Sequence, residues 1–286
     1  MTGSAVREVD VSVARDAIAR LLVDINYEIP PDVLLALRQA LEREESPLGR
    51  RTLEQLVRNY EIAAAERVPV CQDSGVTVVM LEVGQDVHWI GGDLNAAIHD
   101  GIREGTRSGF LRQSVTGDPM RRLKMAGDFA PGVIHVDLVT GDGVRLTVAS
   151  KGFGSENMSA LRMLVPADGV AGISDFVVET VERAGANACP PVIVGVGVGG
   201  TFETAALLAK KAVLRPLTVR HARPDLQALE VELLDRLNRL GIGPMGLGGV
   251  VTALAVNIEV FPTHIAGLPV AVNVGCHSTR RATVEL

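Results

Sequence analysis

Cysteine and aromatic residues are scarce in this chain, and the scarcity of cysteine narrows its chemistry. Among 286 residues there are three cysteines, Cys71, Cys189 and Cys276, more than eighty residues apart. A zinc ribbon needs pairs of ligands a few residues apart, so these three cannot form one. An odd number cannot all be paired in disulfides. No basic segment followed by an apolar run opens the sequence, so no secretory signal is expected. No apolar stretch reaches the ~18 residues of a membrane span. Three thiols without a secretion signal fit a reducing cytoplasm. Charge is close to balance, with a net −6, which argues against a nucleic-acid partner. Internal repeats, low-complexity tracts and long Pro/Ser linkers are absent as well.

What is abundant is aliphatic. Hydrophobic residues make up 47% of the chain and aromatics only 3%, a composition suited to strands packed on helices around a large core. The first seventy residues read as helices: Val11, Ala14, Ala17, Ile18, Leu21 and Leu22 recur at helical spacing, as do Val33, Leu34, Leu37 and Leu41 after Pro30-Pro31, and a third helix opens at Ser46-Pro47. VPVC and VTVVMLEV read as strands flanking the turn QDSG, and Asp93 as the N-cap of a helix from Leu94 to about Ser108. GVIHVDLV and VRLTVAS, joined through Gly141-Asp142-Gly143, read as a hairpin. Helices are expected from near Ser155, over about 173–184, after PVIVGVGVGG and over 224–240, with VVTALAVNIEV and LPVAVNVG as late strands. The expected fold class is α/β, a mixed sheet packed with helices and preceded by an N-terminal helical lobe. It is read as one domain over 1–286, with the lobe at about 1–68 and the core at 69–286.

The cysteines carry two readings. They are buried, inert residues that pack as small hydrophobes, or thiolates holding three irons of a four-iron cluster whose fourth iron stays open and acts as a Lewis acid. Gln72, Asp73 and Ser74 follow Cys71, and His277, Ser278, Arg280 and Arg281 follow Cys276; such polar, partly cationic surroundings suit a metal or reactive thiolate better. Gly195, Gly197 and Gly200 satisfy GxGxxG between a strand and a helix, but the acidic residue that a dinucleotide site needs at the end of the next strand is missing. An anion site at a helix N-terminus and close strand–helix packing both remain open there. Lys151, beside two glycines in KGFGSEN, could bind a carboxylate, or the segment is a turn in which Ser155 caps a helix. His264 lies twelve residues before Cys276; it is a satisfied histidine, or an acid–base group if a strand brings both to one end of a sheet. Asp73 would sit inside a cluster pocket as an acid–base candidate. Arg103, Arg112, Arg280 and Arg281 are candidates for bidentate grip on a dicarboxylate.

Taken in order, VCQDSG, GIREGTRSGFLRQS, KGFGSEN, CPPVIVGVGVGGT and PTHIAGLPVAVNVGCHSTRR resemble the class I, iron–sulfur family of fumarate hydratases and tartrate dehydratases, from about residue 20 to the C-terminus. The resemblance implies a [4Fe-4S] cluster on Cys71, Cys189 and Cys276. It implies that Gln72, Asp73, Arg112 and Gly154 line a small dicarboxylate substrate, to which the residue chemistry adds Lys151 and Arg280, and that His264 shares the acid–base work with Asp73. Single-chain members continue into a second domain, whereas this chain stops ten residues after Cys276. The implied protein is thus a cluster-binding α subunit. A separate β subunit would supply the proton-abstracting base, in an oligomer of αβ pairs.

The implied reaction is the reversible hydration of fumarate to malate, with dehydration of tartrate to oxaloacetate as the alternative. A non-catalytic iron–sulfur redox sensor and a nucleotide-binding protein are the readings from other classes. Two departures stand out. An NTGDNTP-like stretch of the family is here MAGDFAPG, with Met125, Ala126, Phe129 and Ala130 in place of polar residues, and Phe153 occupies a position where a third glycine is usual. These changes make a pocket less polar if the loop touches substrate, and mean little if it only packs.

Overall fold

The structure, a computed structural model, describes residues 6–124 and 128–286; Met125 and Ala126 of the departing loop lie outside them. The first half runs β1 (Arg7–Asp10), α1 (Val11–Tyr27), α2 (Pro31–Arg43), α3 (Pro47–Glu66), β2 (Val76–Gly84), β3 (Val87–Ile90), α4 (Leu94–Ser108), β4 (Thr116–Asp118), β5 (Leu123–Lys124), β6 (Val133–Val139) and β7 (Val144–Lys151). The second half runs α5 (Phe153–Glu156), β8 (Ala160–Leu164), α6 (Gly169–Ala184), β9 (Val192–Gly199), α7 (Phe202–Leu214), α8 (Pro224–Asn238), β10 (Ala253–Phe261), β11 (Leu268–Gly275) and β12 (Arg280–Glu285). The fold is α/β with mixed sheets and an N-terminal helical region. Two compact units divide it: Met1–Pro30, Tyr60–Lys151 and Arg280–Leu286 form the first, Pro31–Asn59 and Gly152–Thr279 the second.

In the first unit the sheet order is β12-β7-β2-β6. Val79, Leu81 and Val83 of β2 share one face by the two-residue period of a strand, as do Val144, Leu146 and Val148 of β7. Onto that face pack Ile18, Leu21, Leu22 and Ile25 of α1 and Ile98 and Ile102 of α4, forming one buried cluster. Each such side chain taken out of water contributes about 1.5–3 kcal/mol. Both helices start where the sequence says: Asp10 caps α1 by accepting from Ser12 N–H at 2.8 Å, and Asp93 caps α4 by accepting from Ala96 N–H at 2.7 Å. The expected hairpin of β6 and β7 does not form. β2 lies between them, parallel to β6 and antiparallel to β7. Its face toward α1 and α4 is buried, and at the centre of the sheet both its edges are paired. The Gly-Asp-Gly segment instead crosses the end of β2, accepting from Gly84 and Asp86 N–H through Gly143 and Gly141. VPVC is not a strand either. Residues 68–75 form a loop, and Val70 N–H is bonded to the carbonyl of Asn26.

The second unit has the sheet order β10-β9-β11-β8. Val192, Val194 and Val196 of β9, with Val270, Val272 and Val274 of β11, face α6 and α8, whose Phe176, Val177, Leu233 and Leu237 complete that core. On the opposite face lies α7, and there β9 presents Gly195 and Gly197. A Cβ on Gly197 would stand 2.1 Å from the Ala205 carbonyl oxygen, and one on Gly195 would stand 2.3 Å from that of Ala209. The alternating Val-Gly pattern is therefore a two-faced strand, large side chains inward and none under a closely packed helix. Of the two readings left open for the glycine motif, packing accounts for Gly195 and Gly197, because both lie inside β9. The helix expected from Ser155 is the single turn α5, with Gly152 rather than Ser155 at its N-cap, and β8 follows directly.

Candidate active site

Within each unit most of the chemically suggestive residues gather at one end of its sheet. In the first unit that end is fixed by strand register: Val76 at the start of β2 pairs with Lys151 at the end of β7, and Arg280 at the start of β12 pairs with Ser150. The Cys71 loop enters β2 there. Cys71 is half-buried and accepts a hydrogen bond from Asp73 N–H at 3.4 Å; Asp73 closes its own turn by accepting from Gly75 N–H at 2.9 Å. Gln72 is exposed between them. Arg112 reaches the same loop through its backbone, donating its N–H to Ser74 Oγ at 2.8 Å, while its side chain is exposed. Lys151 is buried.

Arg280, expected as a substrate ligand, is 2% exposed. Its guanidinium donates to Asn26 Oδ1 at 2.6 Å and to the Asp73 carbonyl at 2.7 Å, and Asn26 in turn donates to Ser150 Oγ and the Leu22 carbonyl, both at 2.8 Å. A buried polar network thus underlies the Cys71–Asp73 loop and holds its backbone. Arg103, another arginine candidate, is ion-paired with Asp128 at 2.8 Å and Asp100 at 2.9 Å. Asp128 belongs to the departing loop. The Arg103 guanidinium, then the Ala130 N–H, holds its carboxyl below the usual carboxylate range. Ala130 is buried and Phe129 half-buried, so at these two positions the loop packs.

In the second unit, β9 follows Cys189 and β11 precedes Cys276, and the two strands are antiparallel with Gly275 opposite Ile193. The two cysteines therefore leave the sheet at the same end. His277 N–H donates to the Cys189 carbonyl at 3.4 Å, which seats the two remote segments side by side. The turn α5 packs at that end too: Gly154 lies beside Asn187, two residues before Cys189, where an added Cβ would stand 3.6 Å from the carbonyl oxygen. Phe153, the departing residue, is 46% exposed on this turn. A glycine-rich loop over 241–249, passed over in the sequence, completes the end. Met245 N–H donates to the Pro190 carbonyl at 2.7 Å, and the buried carboxylate of Glu44 receives Val250 and Val251 N–H at 3.0 Å each.

His264 is elsewhere. The sequence left open that a strand brings it to one sheet end with Cys276, but β11 separates them, and its eight residues at about 3.3 Å each put about 26 Å between the two ends. There His264 is exposed beside Thr263, whose hydroxyl donates to the Gly200 carbonyl at 2.9 Å. Its Nδ1 accepts from Ala266 N–H at 3.2 Å, so the neutral ring carries its proton on Nε2. His264 and Ile265 also line a cavity of about 360 Å³ with Val170 and Ile173 of α6.

Among the described residues no three His, Cys, Asp or Glu side chains converge as a site for a single ion. A cluster makes a different demand, because each thiolate binds a different iron and the ligands need not meet at a point. The donor set suits it: three half-buried thiols, none in a disulfide. Ser278, two residues beyond Cys276, is buried with a hydroxyl that has no partner. Arg280 brings to the Cys71 loop a positive charge whose hydrogen bonds go to neutral acceptors, the right sign beside an anionic, thiolate-ligated centre. The sequence did not single out Asn26, Glu44, Glu156 or Asn273, all of which tie site segments together. For Asn26 the available signal was a polar residue at the end of an apolar helical stripe.

Comparison with known proteins identifies the family of the chain. A family model described as fumarate hydratase (Fumerase) matches residues 15–285. A Methanocaldococcus jannaschii protein with the provisional name L(+)-tartrate dehydratase subunit alpha is 40% identical over 274 residues, 93% of this chain and 95% of its own length. The L(+)-tartrate dehydratase subunits alpha of Escherichia coli O157:H7 and Shigella boydii serotype 4 are 34% and 33% identical, each over 271 residues, 94% of this chain and 89% of theirs. With the match running through both units and all three cysteines, the chain belongs to the fumarate hydratase (Fumerase) family.

Proposed function

We propose that this chain is the α subunit of a hydro-lyase that removes water from a small hydroxydicarboxylate, with Cys71, Cys189 and Cys276 holding a [4Fe-4S] cluster. The observation that carries the proposal is the seating of the Cys189 and Cys276 segments against each other, His277 N–H on the Cys189 carbonyl, with the Gly154 turn beside them. Bound on three thiolates, such a cluster supplies an iron with a free position, a Lewis acid toward a hydroxyl and a carboxylate. The chain's own groups do the rest. Arg112 and Lys151 offer charge to the substrate carboxylates, Gln72 an amide and Gly154 an exposed main chain. Asp73, its carboxylate oriented by Gly75 N–H, is placed to hold or move a proton. Arg280 acts through the Asp73 carbonyl rather than by touching substrate. His264, far along β11 from its own Cys276, takes part in acid–base work only where another copy carries its loop to the cluster.

The names of the relatives as alpha subunits support a separate β subunit, which would supply the carbon-deprotonating base. They also favour L(+)-tartrate as the first substrate to test, with malate and fumarate, the family's namesake pair, as the second. No helix among the described residues is long and apolar enough to cross a membrane, and a cytoplasmic αβ oligomer is the proposed setting. The test is anaerobic co-purification with the candidate β chain, quantification of iron and sulfide, and assay with tartrate, malate and fumarate. About four irons per α chain, lost in each of Cys71→Ser, Cys189→Ser and Cys276→Ser, together with turnover of one of these acids, is the expected result. A fully clustered pair inert toward all small hydroxydicarboxylates would leave the sensor reading in its place.

A further inference from the structure

The turn α5 is too short to support itself. It has four residues, and a single helical turn fixes more backbone freedom than its hydrogen bonds return. Packing gives it limited help, because a cavity of about 280 Å³ adjoins it, walled by Ala160, Leu161, Ala206, Ala209, Ala271 and Val272. A charged tie comes from the carboxylate of Glu156. Both oxygens receive Lys210 Nζ of α7 at 2.6 Å, and Oε2 also receives Asn273 Nδ2 of β11 at 2.8 Å. The lysine side chain is 15% exposed and the glutamate 26%, so the pair is shielded enough from water to act as an anchor. A second tie runs in parallel: Ser159 Oγ accepts from Asn273 Nδ2 at 2.9 Å and from Val274 N–H at 3.0 Å.

Both ties land on β11 at residues 273 and 274, directly before Gly275 and Cys276. Glu156 itself is two residues from Gly154. One carboxylate therefore couples the backbone of the Gly154 turn to the strand end that presents Cys276.

We propose that Glu156 is a positioning residue: through Lys210 and Asn273 it sets where the Gly154 main chain stands relative to Cys276. It touches neither substrate nor cluster. The proposal rests on the function proposed above, in which Gly154 contacts substrate and Cys276 binds iron. Loss of the tie lets the turn and the strand end drift apart, which weakens substrate binding and loosens the iron held at Cys276.

The experiment compares Glu156→Gln, Lys210→Met and Lys210→Arg with the natural chain, each in complex with the β subunit. Glu156→Gln keeps the side chain's size, and Lys210→Met keeps its bulk, so either serves if the other fails to fold. Three quantities are read: KM against kcat, the rate of iron loss to a chelator, and hydrogen exchange at residues 153–157 and 273–276. The expected result is a KM raised about tenfold with a smaller change in kcat and about tenfold faster iron loss in Glu156→Gln and Lys210→Met, with Lys210→Arg close to the natural values. Exchange rises in both segments together. Unchanged KM and iron retention in a folded Glu156→Gln or Lys210→Met variant would overturn the proposal. If the natural complex binds no iron and turns over no substrate, the proposed function fails instead, and exchange that rises in one segment without the other would still refute the tie.

Discussion

The guanidinium of Arg280 donates to the main-chain carbonyl of Asp73 at 2.7 Å, from a side chain only 2% exposed. A residue whose type and neighbourhood suggested a grip on substrate carboxylates is thus spent on the backbone of the loop that carries Cys71. The physical reason is its place at the first residue of β12, opposite Ser150, which points the side chain into the unit beside Asn26.

Arg280→Ala should destabilise the protein by about 2–4 kcal/mol, because hydrogen bonds from a charged donor are worth about 1.5–3 kcal/mol each and Asn26 is left unsatisfied. Urea denaturation checks this. Arg280→Lys should recover little of the loss, since one ammonium cannot reproduce a planar fork that reaches two acceptors. A denaturation midpoint unchanged in Arg280→Ala would contradict the role described.

Gly197→Ala should cost about 1–3 kcal/mol or prevent folding, because its Cβ would overlap the backbone of α7. Calorimetry with NAD should meanwhile show no binding to the natural chain. Tolerance of alanine at Gly197, or binding of a dinucleotide, would revive the nucleotide reading.

Replacing His264 by Asn should leave the iron content intact and lower kcat by about 10² or more, the usual contribution of an acid–base group. Iron analysis and steady-state kinetics on the same preparation separate the two. Loss of iron together with activity would be at odds with a histidine at the far end of β11.

Asp128→Asn gives a pH signature. Its carboxyl is held below the ordinary range chiefly by Arg103, so the folded state favours the ionised form. That contribution is fully present above the unfolded value of about 3.9 and disappears as pH falls through the lower folded value. The pair is partly exposed, 35% and 24%, which limits the difference between natural and variant chains to about 1 kcal/mol. Thermal unfolding from pH 7 to pH 3 should show that difference constant down to about pH 4 and shrinking below it. A gap that widens on acidification would mean that the pair does not stabilise the fold.

If three thiolates hold the proposed cluster, one iron would have no cysteine ligand and would be open to oxidants. Aeration of the αβ complex should therefore reduce activity and iron content together, and anaerobic iron with reductant should restore both. Full activity after prolonged aeration would contradict an open iron.

Much of the secondary structure was legible in the chain. Asp93 before an apolar period of 3.6, Pro31 and Pro224 at helix starts, and the Val-rich runs of β9, β10 and β11 all act through neighbours a few residues away, and those neighbours are written in the sequence. The hairpin expected across Gly141-Asp142-Gly143 failed because strand order is a long-range choice. A turn motif permits adjacent strands to pair, but it does not compete with an apolar β2 that needs partners on both edges. GVGVGG likewise looked the same whether it cradled an anion or let α7 lie on β9, and only the position of the helix separated the two.

For the candidate site, residue types and local motifs were enough to nominate the three cysteines and the polar residues around them, because thiols beside Asp, His and Arg have few other uses. Antiparallel pairing of β9 with β11 then decided that Cys189 and Cys276 leave one sheet end together, while the length of β11 decided that His264 does not join them. Burial decided that Arg280 holds a backbone, and a three-way contact decided that Glu156 ties a turn to a strand. Those outcomes depend on register, strand length and contacts between residues up to 254 positions apart, which no local pattern encodes.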